Sequence, residues 1–291
     1  MSASRTWKPF AKALQALALA AAVCLSTAAF APPLYSWDAP EHKLIAKTAV
    51  SYLPAGLKTF YSKHGRSMQK QVIQPDIDRQ KDWSEKPRHF MNLDSYESFP
   101  FTEIPLTLDA ALEKYSKSAL FYYGVLPYSA TDFSRRLVSA FKEGDREKII
   151  RLSAYLSHYA ADACMPLHST KDYDGYAGGT GGLHAAYEMV TVRMALKNGL
   201  KTKEYSPALI PADKISGAVL EVLKEGYEKS RVLLGADEKA LKKGSRKSRA
   251  YIRALTDETK ELTVTAVERS AALTADLIYS AWVEAGSLEI K

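Results

Sequence analysis

In two helix-like stretches of this chain, a histidine is followed four residues later by a carboxylate. His158 precedes Asp162 and His184 precedes Glu188, and both pairs fall in stretches that favour a helix. Residues four apart lie on one face of a helix, one turn from each other, so each pair could hold a metal ion. Taken alone, such a pair is more often a surface hydrogen bond than a metal site.

The surroundings of the first pair strengthen the metal interpretation. His158 begins the pair inside the segment SHYAADACMPLH, where Pro166 ends the helix just before a third potential ligand, His168. Three further motifs lie upstream: Trp37 followed by His42, PDIDR at residues 75–79, and RHFMNLD at residues 88–94. Histidines and acids therefore recur along the chain in an ordered series.

This series resembles the superfamily of zinc-dependent phospholipases C and S1/P1-type nucleases. The resemblance covers residues 37–190 and accounts for five of the six histidines. It implies three zinc ions, with Asp162 bridging two of them. The implied ligands are Asp76, His89, His158 and Asp162 for one ion; His168, His184 and Glu188 for a second; and His42, Asp162 and Trp37, through its free α-amino nitrogen and carbonyl, for the third.

The ligand chemistry agrees with that implication. Imidazole and carboxylate suit Zn²⁺, and three or four protein ligands per ion leave room for water and substrate. Closely spaced zinc ions lower the pKa of a bridging water and polarise a phosphoryl oxygen, as attack on a phosphodiester requires. We assign the bridging hydroxide as nucleophile and Asp76 as a ligand with an auxiliary general-base role. Resemblance to the nuclease branch, which has an arginine three residues after the aspartate, implies that Arg79 stabilises transition-state charge. A surface ion pair of Arg79 with Asp76 or Asp82 explains that arginine equally well.

The sequence gives conflicting indications of the substrate. The short interval from Trp37 to His42 is similar to the nuclease branch, whereas Glu188 and the interval from His168 to His184 are similar to the phospholipase branch. We expect a phospholipase C that cleaves a phospholipid headgroup, with a nuclease acting on single-stranded nucleic acid as the alternative. A second alternative is a non-enzymatic helical binding protein that keeps metal ions for stability.

The elements that must position these residues are helices. Apolar residues recur at helical spacing, and alternating patterns typical of strands are almost absent. We predict an all-α, single-domain, multi-helix bundle with the trinuclear zinc site between helices. The predicted helices span residues 42–53, 106–123, 129–142, 146–164, 183–197, 212–233 and 249–282. Two long connections remain, residues 67–105 and 169–182, and we expect Tyr173 and Tyr176 of the second to form a mobile rim of the site.

The N-terminal segment differs in composition from the rest. Residues 1–36 carry three basic residues, no acidic residue and an apolar run that starts at Ala13, which is typical of a secretory signal peptide. A membrane anchor is the less favoured alternative, because the run is marginal for a span. We predict cleavage after Ser36, which would give Trp37 the free amine that the third metal site needs. The domain of residues 37–291 would then be secreted or periplasmic.

Composition excludes several classes of protein. With 46% hydrophobic and 25% charged residues, the chain is globular rather than disordered or fibrous. Without the segment 1–36, 37 Lys and Arg face 33 Asp and Glu, a net charge of +4 that tolerates an anionic substrate but indicates no extended nucleic-acid footprint. The expected partners are the substrate headgroup, or single-stranded nucleic acid in the alternative, and a peripheral membrane surface. No obligate protein partner is predicted.

Overall fold

Every regular element of the protein is helical in the residues that its computed structural model describes, which are 39–176, 181–198 and 204–290. These ranges contain no strand, so the predicted all-α class is confirmed. The α-helices are α1 (Ala39–Tyr52), α2 (Ala55–Gln71), α3 (Gln74–Asp78), α4 (Leu93–Tyr96), α5 (Leu108–Lys114), α6 (Lys117–Tyr123), α7 (Leu126–Glu143), α8 (Arg146–Cys164), α9 (Leu183–Asn198), α10 (Ile215–Leu241) and α11 (Arg249–Glu284). Three 3₁₀ turns span Lys86–His89, Pro166–Ser169 and Ala212–Lys214.

Helix α8 lies at the centre of the bundle and packs against α7, α11, α2 and α1. Its start is fixed locally, because the Asp145 carboxylate accepts a hydrogen bond of 3.0 Å from the Lys148 amide. Gly144, with φ of +66°, ends α7 in the left-handed conformation that favours glycine. Pro166 follows the last turn of α8. The predicted bounds of this helix are confirmed at both ends.

Helix α11 packs along the body of the bundle. Ser248 caps its first turn by accepting a hydrogen bond of 3.1 Å from the Tyr251 amide. The helix contacts α8, α10 and α1, and many of its buried residues are small, among them Ala266, Ala271 and Ala275. Small side chains allow neighbouring helices to approach closely, so α11 supports the helix that carries the histidine pair.

The prediction of one long connection over residues 67–105 is wrong. Its first residues belong to α2, and the remainder contains α3, the 3₁₀ turn Lys86–His89 and α4. Pro75 and Pro87 lie in the first turns of α3 and of that 3₁₀ turn, where the fixed φ of proline is favourable and its missing N–H is not needed. Prolines that looked like signs of a loop therefore begin short helical turns.

The prediction of a single helix over residues 106–123 is also wrong. The chain forms two short helices, α5 and α6, which are separated at Tyr115 and Ser116. Tyr115 is extended, and the Ser116 hydroxyl accepts a hydrogen bond of 3.1 Å from the Ala119 amide to begin α6. A serine in the middle of an apolar pattern was an N-cap signal.

Two predictions lie outside the described residues: the signal peptide of residues 1–36 and the ligand Trp37. All the described residues belong to one compact unit, Tyr35–Lys291. Within the ranges given above, no helix combines the length and the apolar character that crossing a membrane requires.

Candidate metal centre

Three groups of histidine and acidic side chains have ligand atoms within 4.8 Å of one another. The groups are His42, His158 and Asp162; Asp76, His89 and His158; and His168, His184 and Glu188. We call the first two groups together the inner cluster and the third group the outer cluster. All the predicted ligands except Trp37, which is outside the described residues, are therefore brought together.

The carboxylate of Asp162 lies between the histidines of both clusters. Its Oδ2 is 2.9 Å from His89 Nδ1 and 3.3 Å from His158 Nε2. Its Oδ1 is 3.4 Å from His168 Nδ1 and 4.0 Å from His42 Nε2. One carboxylate whose two oxygens face different histidines has the geometry of a bridging ligand.

The ring of His158 is oriented by the backbone. Its Nδ1 lies 2.9 Å from the carbonyl oxygen of Val72, and the ring stacks on His42 with centroids 4.0 Å apart. When Nδ1 donates to that carbonyl, the lone pair of Nε2 faces Asp162. Metal-binding histidines commonly use a carbonyl or a carboxylate in this way to fix the ring.

An acid that the sequence analysis did not identify lies beside the other ring nitrogen of His89. Glu85 Oε1 lies 3.8 Å from His89 Nε2, on the side away from Asp162. Tyr159 donates a hydrogen bond to the same carboxylate, and Arg88 Nη1 lies 3.2 Å from its second oxygen. The available signal was the spacing of four residues between Glu85 and His89.

The outer cluster lies nearer to solvent than the inner one. His184 Nε2 is 2.8 Å from Glu188 Oε1 on the next turn of α9, and the ring centroid of His168 is 5.2 Å from that of His184. The His184 side chain is 17% exposed, whereas that of Asp162 is fully buried. Tyr173, which is exposed, packs its ring edge against His184 with centroids 5.8 Å apart. The outer cluster thus offers the approach to the site.

Backbone contacts tie the motif RHFMNLD to the segment after α8. The Met91 amide donates a hydrogen bond of 2.9 Å to the carbonyl of His168. The carboxylate of Asp94 accepts hydrogen bonds from the Thr170 hydroxyl at 2.8 Å and from the Lys171 amide at 2.9 Å. The motif and this segment are therefore neighbours in space. The motif contains His89 of the inner cluster, and the segment contains His168 of the outer cluster.

Gly124 allows the close packing behind His89. Its φ is +89°, and a Cβ added there would lie 2.1 Å from the carbonyl oxygen of Phe90, the residue that follows His89. A side chain at this position would therefore have to displace the backbone of Phe90. The position of His89 depends on glycine at 124.

The electrostatics favour the metal-binding forms of three side chains, His42, His168 and Asp162. Burial, followed by the neighbouring His158, holds the pKa of His42 well below its usual value, and burial lowers the pKa of His168 to about 3. Burial acts to raise the pKa of Asp162, but His158 and His168 hold it well below its usual value. At neutral pH the two imidazoles are neutral and the carboxylate is ionised, as metal ligation requires.

The donor set fits zinc. Both ring nitrogens of the fully buried His42 lack a hydrogen-bond partner among the described residues. Buried polar atoms are almost always satisfied, and leaving one unsatisfied costs about 1–3 kcal/mol. Imidazole nitrogens and carboxylate oxygens are preferred zinc ligands, so a metal ion would satisfy the His42 nitrogen that faces Asp162, which is Nε2.

Arg79 lies at the edge of the inner cluster. Its Nη2 is 3.4 Å from Asp76 Oδ1, and the arginine side chain is partly exposed while the carboxylate is buried. The ion pair with Asp76 that the sequence offered as one interpretation is therefore present. Its position beside the cluster is also compatible with contact to a substrate phosphate.

Comparisons with known proteins agree with this arrangement. A family described as zinc dependent phospholipase C matches residues 41–231, well over half of the chain, and that match includes every member of both clusters. Among solved structures, the alpha toxin from Clostridium absonum is similar with a TM-score of 0.57 and 14% identity, over 88% of this chain and 67% of the toxin chain. At that identity the likeness concerns the fold. No curated protein sequence matches the chain significantly.

Proposed function

The chain belongs to the zinc-dependent phospholipase C family, and on that premise we propose that it hydrolyses the phosphodiester bond of a phospholipid headgroup. The observation that carries the proposal is the convergence of both clusters near Asp162, with the outer cluster partly exposed at His184. Purely structural zinc sites are closed by protein ligands, whereas catalytic sites keep a position for water or substrate. Partial exposure of His184 supports the catalytic interpretation over a binding protein stabilised by metal.

The proposed site holds three zinc ions. Asp162 serves the first and the third ion, and Trp37 completes the third through its amine and carbonyl once residues 1–36 are removed. The ligands are those that the resemblance implies: Asp76, His89, His158 and Asp162; His168, His184 and Glu188; and Trp37, His42 and Asp162. We also propose, from the composition of residues 1–36, that the protein is secreted or periplasmic.

When bound, zinc would supply Lewis acidity toward a phosphoryl oxygen and lower the pKa of water. The protein's own side chains then have separate tasks. The Asp76 carboxylate can hold a proton near the reacting phosphate, and the Arg79 guanidinium beside it can contact a non-bridging phosphate oxygen. Tyr173 can cover one side of the substrate, because its exposed ring already packs on His184.

An exposed aromatic cluster supports a peripheral contact with a phospholipid bilayer. Trp83 and Tyr122 are 70% and 69% exposed, and Phe121 lies between them, stacked on Trp83 with centroids 6.4 Å apart. Lys86 Nζ lies 5.4 Å from the Trp83 ring centroid. Amphipathic aromatic rings with a nearby lysine suit the headgroup region of a bilayer. This cluster also adjoins the 3₁₀ turn that ends at His89, so a docked bilayer would lie on an element of the site.

One experiment tests the proposed reaction. The zinc-loaded protein is assayed in parallel against phosphatidylcholine vesicles, single-stranded DNA and RNA, with His184→Gln as the test variant and His64→Gln as the matched control. His64 lies on α2, outside both clusters. We expect hydrolysis of the phospholipid that His184→Gln abolishes and His64→Gln retains. Cleavage of nucleic acid alone would favour the nuclease alternative, and no cleavage despite stoichiometric zinc would favour the binding protein.

The bilayer contact has its own test. Sedimentation with vesicles that contain anionic lipid should decrease for Trp83→Ala and Tyr122→Ala but not for Val232→Ala, a similarly exposed apolar residue on α10. Hydrolysis of a dispersed short-chain phospholipid should be unchanged in all three variants. Equal sedimentation of the wild type and Trp83→Ala would exclude this cluster as the docking surface.

A further inference from the structure

Arg246, in the turn between α10 and α11, makes well-formed contacts with Asp237 and with Gly181. Its Nε donates to Asp237 Oδ1 at 2.9 Å, and its Nη2 donates to Asp237 Oδ2 at 2.5 Å, so the pair is bidentate. Its Nη1 donates to the carbonyl oxygen of Gly181 at 2.6 Å. The arginine side chain is 10% exposed and the aspartate 4%. A buried bidentate pair of this kind is geometrically specific.

The aspartate of the pair is itself held. Tyr251, in the first turn of α11, donates a hydrogen bond of 2.5 Å to Asp237 Oδ1. Asp237 belongs to α10, so one carboxylate receives donors from α11 and from the turn before it. Arg246 is therefore linked to α10 through Asp237, and to α11 through the hydrogen bond of Tyr251 to the same carboxylate.

The contact of Arg246 with Gly181 reaches the segment that precedes α9. Gly181 lies three residues before His184. The Ala186 amide donates the first hydrogen bond of the helix, of 3.1 Å, to the carbonyl of Gly182. The His184 amide is in turn 3.2 Å from Asp174 Oδ1. The first turn of α9 is thus held at Gly181 and at His184, and this turn presents the histidine of the outer cluster.

The glycines of this segment fit around the guanidinium. A Cβ added at Gly175, where φ is +106°, would lie 3.1 Å from Arg246 Nη2, and one at Gly182, where φ is +92°, would lie 3.8 Å from Arg246 Cδ. The backbone on both sides of the arginine therefore lies close to it, and at Gly175 a side chain would crowd the guanidinium. The glycines therefore allow the backbone to approach the guanidinium, which donates the hydrogen bond to Gly181.

We propose that Arg246, anchored by Asp237 and Tyr251, is a positioning residue that sets the place of His184 and Glu188 by holding the carbonyl of Gly181. None of these three anchoring residues lies in the part of the chain that the family match covers, which ends at residue 231. The consequence for zinc rests on the proposed function; the tethering of α9 does not. The C-terminal helices would then contribute to the outer cluster without supplying a ligand.

A matched pair of buried aspartates allows a sharp test. Asp237→Asn and Arg246→Met remove the tether of α9. The control is Asp276→Asn, because Asp276 is also buried and accepts hydrogen bonds from Tyr205 at 2.8 Å and from the Ala208 amide at 2.8 Å, and so tethers a different segment. Hydrogen exchange of the full chain is measured for each variant, as purified and after zinc loading.

We expect amide exchange over residues 182–188 to rise about tenfold in Asp237→Asn and Arg246→Met, since a hydrogen bond to a charged group is lost. The control should raise exchange over residues 205–210 and leave 182–188 unchanged. Chelator competition should show one zinc equivalent bound about 10–100-fold more weakly in the two test variants. If Arg246→Met does not fold, Arg246→Lys is measured in its place, because a single ammonium cannot donate to both Asp237 oxygens and Gly181.

Wild-type exchange over residues 182–188 in the test variants would overturn the proposal, as would an equal rise there in Asp276→Asn. Unchanged zinc affinity together with raised exchange would also overturn it, because the tether would then not set the ligand positions. These results are independent of catalysis. A wild type that binds zinc but cleaves no phospholipid would refute the proposed function while leaving the exchange and zinc measurements decisive for Arg246.

Discussion

Helix α8 supplies two members of the inner cluster from consecutive turns, whereas the outer cluster is assembled from a 3₁₀ turn and from α9, on either side of a glycine-containing segment. The inner cluster is buried and held by the packing of the bundle. The outer cluster is partly exposed and depends on individual tethers such as Arg246 and Asp174. On the proposed function, the buried cluster would fix the metal geometry and the partly exposed cluster would receive the substrate.

The largest effect is expected where the two clusters meet. Asp162→Asn replaces the one carboxylate that faces both, so activity should fall by on the order of a thousandfold or more, and at least one bound zinc should be lost. Zinc content by mass spectrometry and phospholipid hydrolysis measure the two effects. The exposed Asp132→Asn is the control on α7. A variant with full activity and unchanged zinc content would contradict the bridging role.

Glu188→Gln should separate the clusters. The substitution keeps the size of a residue in the outer cluster but removes its charge, so one zinc equivalent should be lost while the remaining zinc stays bound. Activity should fall by roughly 10²–10³-fold, because the zinc ion proposed for the outer cluster would help to polarise the substrate phosphate. Glu228→Gln, an exposed acid on α10, is the control. Loss of all bound zinc would show that the two clusters form one cooperative site.

Glu85→Gln should weaken the inner cluster without removing a ligand. The Glu85 carboxylate lies 3.8 Å from His89 Nε2, and loss of its charge should lower zinc affinity there by about 10–100-fold. Competition with a chelator measures the change, and the exposed Glu143→Gln serves as the control. A loss of zinc affinity at the outer cluster instead of the inner one would contradict the assignment of Glu85 to the inner cluster.

Tyr173→Leu should have the smallest effect. The ring packs against His184 from the solvent side, and aromatic contacts contribute about 0.5–1.5 kcal/mol, so KM should rise about two- to tenfold with kcat little changed. Steady-state kinetics on phospholipid vesicles checks this, with the exposed Phe99→Leu as the control. A large decrease in kcat would assign Tyr173 to the chemical step rather than to the rim.

The parts of the fold that the sequence predicts well are those with local signals. Asp145 and Pro166 bound α8, and the histidine and acid pairs at helical spacing identify both clusters. Helix α2 was not predicted, because Gly56 and Gly65 interrupt a segment with few apolar residues; in the structure it packs against α1 and α8. Tertiary packing overrode the local preference there.

The supporting residues of the site were harder to predict than the ligands. Glu85 has a local spacing to His89 that could have identified it. Arg246 has none, because the carbonyl that it binds lies 65 residues away in sequence. Every residue type has a backbone carbonyl that can accept a hydrogen bond, so the sequence does not identify the acceptor. Only the folded structure reveals such a tether.

Gly124 illustrates how an intact set of metal-binding residues can be insufficient. A chain that kept every histidine and acid of both clusters, but carried a side chain at 124, would push back the carbonyl of Phe90 and with it the neighbouring His89. Such a homologue would pass an inventory of ligands although one of them, His89, would be displaced. When family members are classified by their metal ligands, the residue at position 124 should therefore be checked as well.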